Sequence, residues 1–262
     1  MKLHAMQYEQ FFERGWFVLP QVFDPDDIDK VRAAFDRLHA RAQSLRTTQT
    51  HAGAYFVLED RGPDSVVIQR IVWAGAAEPE LLALSADARL VGPALQLLGS
   101  ERCEQLLCQA HFKMPGDGVS FDWHQDIQHR DKGPGTWRDL NGRGSYVQTI
   151  LLVDDMTSGN GPLKFIPRSG VRSDASGRLS SSSYDYSTPM GADPVCAELD
   201  TTQAVTVTGR AGDVLFFGPY AVHGSVANGS SFPRRVLING YAFPGANGRV
   251  YPGEGACRTL PL

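Results

Sequence analysis

Short apolar runs separated by turn residues dominate the chain after Gly99. These runs read EQLLCQAHFKM, SYVQTILLVDD, GPLKFIP, AVTVTG, GDVLFFG and RRVLINGYAF, and Gly, Pro, Asn or Asp flank them. Runs of this length and composition are typical of β-strands. Helical patterns do not alternate with them, so the sequence argues against a parallel βαβ sheet and favours an antiparallel sandwich or jelly roll.

The part of the chain before Gly99 carries helical patterns. In DPDDIDKVRAAFDRLHARAQ, Asp24 is a predicted N-cap and Pro25 takes the first helical position. Apolar residues recur there at steps of three and four, which predicts one buried face. A second helical stretch is predicted from about Pro79 to Leu98, with a break near Gly92 and Pro93. The segment GWFVLPQVF, before the first helix, is predicted to be a strand.

These patterns predict a mainly β fold with flanking helices. We expect one domain over residues 1–262, with a helical part over about 1–100 and a jelly-roll core over about 101–245. The 42% hydrophobic content of the chain is enough for a sizeable core.

Composition excludes several classes of partner. The formal net charge is −4 and no Lys/Arg stripe dominates, so we expect no nucleic-acid partner. The start MKLHAMQYEQ has no apolar signal region, and no apolar run approaches the roughly 18 residues of a membrane span. The four cysteines lack a C-x-x-C pair and are expected to be reduced thiols of a cytoplasmic protein: Cys103, Cys108, Cys196 and Cys257.

The segment FDWHQD places two good metal ligands, His124 and Asp126, one residue apart. Among the other histidines, His223 is the best candidate for a third ligand. It follows the apolar strand GDVLFFGPY and stands beside a glycine, at a strand end where jelly rolls place pocket residues. Two histidines and one carboxylate suit non-haem iron(II) with open coordination positions, and zinc accepts the same ligands.

Arg234 stands 11 residues after His223, at the start of the apolar strand RRVLINGYAF. If this strand pairs antiparallel with the strand of His223, both side chains can face one cavity. A guanidinium beside a metal suits a bidentate ion pair with a carboxylate, such as the far end of a dicarboxylate cosubstrate. The alternative is a solvated edge-strand arginine, a description that fits Arg235.

These motifs, in this order, resemble the phytanoyl-CoA dioxygenase family of iron(II)- and 2-oxoglutarate-dependent oxygenases, with motifs similar to those of ectoine hydroxylase. The matching pieces are HFKMPG, FDWHQD, VQTILLVDDMTSGNGPLKFIPRSG, GDVLFFGPYAVHGS and the following arginine. They cover roughly residues 105 to 243. The resemblance implies a double-stranded β-helix (a jelly-roll, cupin-like core), with Fe(II) as the metal and 2-oxoglutarate and O2 as cosubstrates.

The resemblance also implies roles for individual residues. His124, Asp126 and His223 match the iron ligands. Arg234 and Ser225 match residues that bind the distal carboxylate of 2-oxoglutarate. Four further positions align with or near residues of the cosubstrate pocket: Phe121, Phe217, His111 and Arg70. For both phenylalanines an ordinary place in the core is an equal alternative.

The implied reaction is hydroxylation of an unactivated C–H bond of a small molecule, with release of succinate and CO2. Halogenating relatives replace the carboxylate ligand with a small residue, so Asp126 favours hydroxylation or a related desaturation or cyclisation. Two other readings stay open: a zinc-dependent cupin-like isomerase or hydrolase, and a non-catalytic jelly roll that binds a small molecule. Neither explains Arg234.

The substrate pocket is expected to be shaped by residues 128–145, residues 172–190 and the tail from Pro244. Four residues of the first segment are candidate substrate contacts: His129, Arg130, Trp137 and Arg138. Arginines with an aromatic residue favour a polar or anionic small molecule, and a solvated charged loop is the alternative. The sequence gives no indication of the oligomeric state.

Overall fold

A computed structural model describes residues 2–63, 65–167 and 200–261 of the chain. Its helices are α1 (Ala5–Arg14), α2 (Pro25–Leu45), α3 (Ala74–Ala77), α4 (Pro79–Leu84), α5 (Ala88–Leu98) and α6 (Ile127–Arg130). Its strands are β1 (Trp16–Leu19), β2 (Gln49–His51), β3 (Ala54–Asp60), β4 (Val66–Val72), β5 (Arg102–Lys113), β6 (Phe121–His124), β7 (Tyr146–Leu152), β8 (Leu163–Ile166), β9 (Val205–Thr206), β10 (Val214–Phe217), β11 (Val222–Ser225), β12 (Arg234–Ala242) and β13 (Arg258–Pro261).

The strands form two antiparallel sheets. The large sheet has the order β1-β10-β7-β12-β5-β4-β3-β2, with β13 also paired to β5, and the small sheet has the order β6-β11-β8-β9. From β5 to β12, successive strands alternate between the sheets except for β8 and β9. This eight-stranded winding is a jelly roll, so the predicted mainly β fold with a double-stranded β-helix core is confirmed.

Strand alternation divides the large sheet into two faces. On β12, Val236 and Ile238 belong to an apolar cluster between the sheets, together with Phe165 of the small sheet. Leu237 points the other way, into a cluster shared with the helices. The cavity described below therefore opens between the sheets, while the helices cover the outer face of the large sheet.

Helix α2 begins where the sequence predicts. The Asp24 carboxylate accepts a hydrogen bond from the Asp27 backbone N–H at 2.9 Å, and Pro25 is the first helical residue. Such an N-cap satisfies a backbone donor that the helix leaves unpaired. The predicted apolar face is buried: Ile28, Val31, Phe35 and Leu38.

Two sequence predictions about the first hundred residues need correction. This part is not only helical, because residues 49–72 contribute β2, β3 and β4 to the large sheet. The run VVIQRIV of β4 lacks a simple alternation, since both of its faces are largely buried. The break in the second helical stretch falls between α4 and α5, where Asp87 caps α5, and Pro93 lies inside α5.

The described cysteines Cys103, Cys108 and Cys257 are free thiols, as predicted. Burial raises the pKa of Cys103 to about 12 and that of Cys108 to about 11, so both stay protonated at neutral pH. In the described part of the chain, no helix combines the length and the apolar character that crossing a membrane requires.

Candidate active site

A cavity of about 290 Å³ opens between the two sheets. Strands β4, β5, β7 and β12 of the large sheet form one wall, and β6, β8 and β11 of the small sheet form the other. Helix α6 and the tail around Tyr251 line it as well. The segment 128–145 and the tail from Pro244 thus both reach the cavity, as expected from the sequence, whereas the predicted loop 172–190 lies outside the described residues.

His124 and His223 lie side by side on the neighbouring strands β6 and β11 of the small sheet. They are directly paired in the β6–β11 register, and their ring centroids are 4.3 Å apart. Nδ1 of His124 lies 2.7 Å from the Asp122 carbonyl, and Nδ1 of His223 lies 2.9 Å from the Ala221 carbonyl. A carbonyl oxygen only accepts, so both Nδ1 atoms carry the proton and both Nε2 atoms keep a lone pair.

Asp126 completes a convergent group of ligand atoms. Its Oδ1 lies 3.7 Å from Nε2 of His124 and 3.9 Å from Nε2 of His223. Its Oδ2 is buried and has no hydrogen-bond partner among the described residues. A buried carboxylate oxygen without a partner is costly, and a bound cation offsets this cost. Burial lowers the pKa of His223 to about 4, so this ring is neutral and able to ligate at neutral pH.

A third histidine, His129, lies beside this group on α6. The ligand atoms of His124, Asp126 and His129 lie within 4.8 Å of one another. Two histidines therefore compete for the third ligand position. We favour His223, because its strand pairing and its Nδ1 hydrogen bond hold Nε2 toward Asp126. Three protein ligands, a chelating cosubstrate and oxygen complete the coordination of iron(II), so adding His129 would exclude one of them.

Arg234 lies on the inner face of β12 and is almost fully buried. Its Nε and Nη2 donate to the Gly161 carbonyl at 3.2 and 2.7 Å, which uses two of its five N–H groups. Burial lowers its pKa to about 10, so it stays charged at neutral pH. Its neighbour Arg235 points to the opposite face, where it pairs with Asp154 after β7 and with Asp36 of α2.

Ser225 stands near Arg234 in the wall of the same cavity. Its hydroxyl accepts a hydrogen bond of 2.8 Å from Nζ of Lys113, which is paired with Arg234 across β5 and β12. Two effects lower the pKa of Lys113 to about 6: its burial, which is the larger, and the nearby charge of Arg234. The sequence interpretation passed over Lys113, although it shares the face of His111 by simple alternation along β5.

The other predicted cosubstrate residues divide into two groups. His111, Phe121 and Arg70 line the cavity, and the rings of His111 and Phe121 stack at 5.1 Å. Phe217 does not line it, which corrects the prediction for this residue. Its ring is fully buried between the sheets and packs behind His223 at 4.7 Å, so it supports that histidine from the core.

Of the four candidate substrate residues, two line the cavity and two do not. His129 and Arg130 line the cavity. Trp137 is instead packed in a cluster with Tyr146, where its Nε1 donates to the Gly144 carbonyl at 3.2 Å. Arg138 is exposed and donates to the Gly245 carbonyl at 2.9 Å. The cavity also contains residues that sequence reasoning missed: Gln109, Lys132, Gln148, Arg249 and Tyr251.

A jelly roll whose inner cavity holds two histidines, a carboxylate and a buried arginine defines the class of 2-oxoglutarate-dependent non-haem iron dioxygenases. The profile of the phytanoyl-CoA dioxygenase (PhyH) family matches residues 11–236, and the chain belongs to this family. The protein is therefore an enzyme of that class.

Curated relatives and solved structures agree with the family. The chain is 28% identical to an ectoine dioxygenase of Bordetella bronchiseptica over 251 residues, which covers 91% of this chain and 75% of the relative. It is 27% identical to an L-proline trans-4-hydroxylase of Streptomyces griseoviridis, covering 87% and 82% of the two chains. The crystal structure of EctD from S. alaskensis with 2-oxoglutarate and 5-hydroxyectoine superimposes with a TM-score of 0.67 at 25% identity, covering 98% of this chain and 82% of that one.

Proposed function

We propose that the protein hydroxylates an unactivated C–H bond of a small molecule and that His124, Asp126 and His223 hold the iron(II). The observation that carries this proposal is the convergence of two Nε2 lone pairs on a buried carboxylate. When bound, iron(II) with 2-oxoglutarate and oxygen supplies the oxidising power for hydroxylation, with succinate and CO2 as co-products.

The protein's own residues position the cosubstrate. Arg234 offers a fixed guanidinium whose planar geometry matches a carboxylate, and the low polarity around it strengthens the pair. Ser225 adds a hydroxyl to the cavity wall, and Lys113 holds that hydroxyl by a hydrogen bond from outside the lining. Phe121 covers this end with an aromatic face. The similarity to a structure that contains 2-oxoglutarate supports this assignment.

His129 is proposed to contact the substrate. It lines the cavity next to His124, at a ring distance of 5.3 Å. Burial, and then the charge of His124, lowers the pKa of His129 well below its ordinary value, so its imidazole is neutral at the cavity wall. We also propose a cytoplasmic location, which the free thiols of the described cysteines support.

A zinc-dependent cupin-like hydrolase or isomerase is the alternative, because zinc accepts the same ligands. The decisive assay follows succinate formation from 2-oxoglutarate with iron(II), in air and under anaerobic conditions. The proposed function requires succinate that depends on iron, on 2-oxoglutarate and on oxygen. Activity with zinc in the absence of 2-oxoglutarate would favour the alternative.

The metal ligands are tested by comparing two histidine variants. His223→Ala should lose most of its iron(II) affinity, measured anaerobically by equilibrium dialysis, because a fixed lone pair is removed. His129→Ala should keep that affinity and lose activity instead. The reverse pattern would assign the third ligand to α6 and overturn the choice of His223.

A further inference from the structure

Gln148 lines the cavity from the inner face of β7 and is only 6% exposed. Its partner on β10 is Phe217, whose ring centroid lies 4.7 Å from that of His223. Directly paired residues of antiparallel strands have their side chains on the same face of the sheet. Gln148 therefore borders the part of the cavity next to the proposed metal ligands, although the proposed function does not use it.

The orientation of the Gln148 amide is set by Tyr146. The Tyr146 hydroxyl donates to Oε1 of Gln148 at 2.6 Å. Burial raises the pKa of Tyr146 well above its ordinary value, so the hydroxyl keeps its proton at neutral pH. The guanidinium of Arg130 lies 4.7 Å from the Tyr146 ring centroid, but arginine has no acceptor for that proton. A half turn of the amide would leave the hydroxyl proton without its acceptor, so Oε1 stays toward Tyr146.

Tyr146 is itself held in place. Its side chain is almost fully buried, and its ring packs between Trp137 and Arg130. An ideal Cβ on Gly240 would lie 2.0 Å from its hydroxyl, so the hydroxyl rests on the backbone of β12. A residue that is fixed in this way holds its hydrogen-bond partner in one geometry.

The other end of the Gln148 amide, Nε2, carries two N–H donors. It makes no hydrogen bond to a residue in the described part of the chain. A buried amide donor without an acceptor is costly. Because Gln148 belongs to the cavity wall, the oxygen of a ligand in the cavity can supply that acceptor.

The cosubstrate is too short to be that ligand. Gly240, which is paired with Gln148, stands six residues after Arg234 on β12. Six residues of a β-strand span about 20 Å. A 2-oxoglutarate molecule is much shorter than this distance, so one anchored at Arg234 ends before Gln148. The amide donors are therefore left for the substrate.

We propose that Gln148 is a specificity-determining residue for the prime substrate and that its Nε2 donates to an oxygen of that substrate. The substrate then carries a carbonyl or carboxylate oxygen near the C–H bond that reacts. A group that only donates, such as an ammonium, would face N–H donors at this position and is rejected. Tyr146 is a positioning residue, because it acts through Gln148. This inference rests on the proposed function and adds the chemical class of the substrate to it.

The test uses the full chain loaded with Mn(II) and saturating 2-oxoglutarate, and N-methyl-2-pyrrolidone is the probe. This small molecule has a carbonyl acceptor and no N–H or O–H donor. Saturating 2-oxoglutarate keeps the probe away from Arg234. Binding is measured through the paramagnetic relaxation of the probe's N-methyl proton resonance by Mn(II), which reports binding near the metal without any turnover. We expect relaxation that saturates with protein concentration.

Removing the amide should weaken this binding. Gln148→Leu is expected to lower the affinity for the probe roughly three- to tenfold, the loss expected for one neutral hydrogen bond. Gln69→Leu is the matched control, because Nε2 of Gln69 donates to Glu59 at 3.2 Å and the residue lies outside the cavity lining. Equal probe binding in Gln148→Leu and the unmodified protein would overturn the proposal, and so would the lack of saturable binding to the unmodified protein.

Gln148→Glu gives a readout that a loss of packing would not. The new carboxylate has nearly the same size and still accepts from Tyr146, but it replaces the cavity-facing donor by an acceptor. The variant should lose affinity for N-methyl-2-pyrrolidone and gain affinity for protonated N-methylpyrrolidine, which has the same ring without the carbonyl. An unchanged preference between the two probes in Gln148→Glu would contradict the proposal.

Tyr146→Phe tests the positioning role. The amide remains but is free to turn, so the affinity for N-methyl-2-pyrrolidone should fall less than in Gln148→Leu, and the preference over protonated N-methylpyrrolidine should narrow. A preference identical to that of the unmodified protein would remove Tyr146 from its positioning role.

A second arm identifies the acceptor group. Succinate release with iron(II) is screened with sets of small molecules that share one carbon skeleton: carboxylic acids, their amides and the corresponding amines. Stimulation by acids or amides that is weakened in Gln148→Leu supports the proposal and distinguishes a carboxylate from a neutral carbonyl. Stimulation by the amines alone contradicts it.

The two proposals fail in different ways. If Mn(II) and 2-oxoglutarate do not bind the unmodified protein, the proposed function fails. If both bind and the Gln148 variants leave probe binding unchanged, only Gln148 loses its assigned role.

Discussion

At the scale of single residues, adjacent arginines on β12 have different surroundings. Arg234 faces the cavity, whereas Arg235 joins the sheet to α2 through Asp154 and Asp36, with nitrogen–oxygen distances of 2.8 and 2.6 Å. Alternation along a strand puts neighbouring side chains on opposite faces. Substituting each arginine in turn therefore distinguishes an effect on cosubstrate binding from an effect on the stability of the fold.

Arg234→Ala should weaken 2-oxoglutarate binding while iron binding persists, because the arginine is not a metal ligand. Loss of one partner of a buried charge pair costs about 2–5 kcal/mol, which is roughly 30-fold to several-thousand-fold in affinity. Arg234→Lys should recover part of this loss, since lysine has the charge without the planar fork. The affinity is measured by anaerobic titration of the iron-loaded protein with 2-oxoglutarate.

The control is Arg235→Ala, which should leave 2-oxoglutarate affinity nearly unchanged. It should lower the free energy of unfolding by about 1–3 kcal/mol, because it removes charged hydrogen bonds to Asp154 and Asp36. A large loss of 2-oxoglutarate affinity in Arg235→Ala would contradict the strand register at this position.

Lys113 should give the protein a measurable pH dependence. Burial lowers its pKa from 10.5 to about 6, so between these values the folded lysine has lost a proton that the unfolded chain keeps. Unfolding then takes up a proton, and the free energy of unfolding rises with pH across this window, by up to about 1.4 kcal/mol per pH unit. Urea denaturation at several pH values between 7 and 9.5 should show the slope.

Lys113→Met should flatten that slope, because methionine does not titrate. Lys164→Met, on β8 and partly exposed, is the control and should keep the slope of the unmodified protein. If the slope survives in Lys113→Met, another group is responsible for it.

At the scale of elements, the approach of β7 and β12 depends on a residue without a side chain. A Cβ on Gly240 would lie 2.0 Å from the hydroxyl of Tyr146 and 2.8 Å from its Cζ. Tyr146 is buried between Trp137 and Arg130, so it has little room to move. The pairing of β7 with β12 and the packing of Arg130 on Tyr146 therefore depend on the same close approach.

Gly240→Ala should destabilise the protein by about 1–3 kcal/mol, the usual cost of overpacking a core. Combining it with Tyr146→Phe should restore part of the loss, since the hydroxyl at 2.0 Å is removed and the ring stays. Gly159→Ala is the control, because an added Cβ there meets no described atom within 4 Å. Chemical denaturation of the unmodified protein, Gly240→Ala, Tyr146→Phe, the double variant and the control decides the matter, and purely additive effects would rule out the proposed contact.

At the scale of the whole molecule, the cavity joins the two sheets of the jelly roll. The proposed metal ligands lie on or just after β6 and on β11, and the arginine proposed to bind the cosubstrate lies on β12 in the other sheet. A metal and a cosubstrate held by these residues would contact both sheets. Ligands that bind only the folded state stabilise it according to their concentration and affinity.

Mn(II) and 2-oxoglutarate should therefore raise the midpoint of thermal unfolding. At a concentration one hundred times the dissociation constant the stabilisation is about 2.7 kcal/mol, or roughly 5–10 °C for a domain of this size. Asp126→Gly should lose most of the metal-dependent shift, and Arg234→Ala should lose only the shift due to 2-oxoglutarate. Calorimetry measures both, and an undiminished metal shift in Asp126→Gly would remove Asp126 from the ligand set.

Much of this architecture follows from local sequence patterns. The start of α2 at Asp24 and Pro25, the strands of the jelly roll and the opposite faces of Arg234 and Arg235 depend on neighbouring residues only. Local spacing sets the backbone conformation and the side on which a residue lies. These features were therefore accessible without a structure, as was the pair His124 and Asp126.

Other features depend on contacts between distant parts of the chain. The extra strands β2 to β4, the competition between His129 and His223 and the core position of Phe217 appear only when the sheets are assembled. The cavity lining draws on β4, on α6 and the loop after it, and on the tail, so no single motif contains it. Packing of separate elements decides which side chains meet, because the distance between them is set by sheet order and not by spacing along the chain.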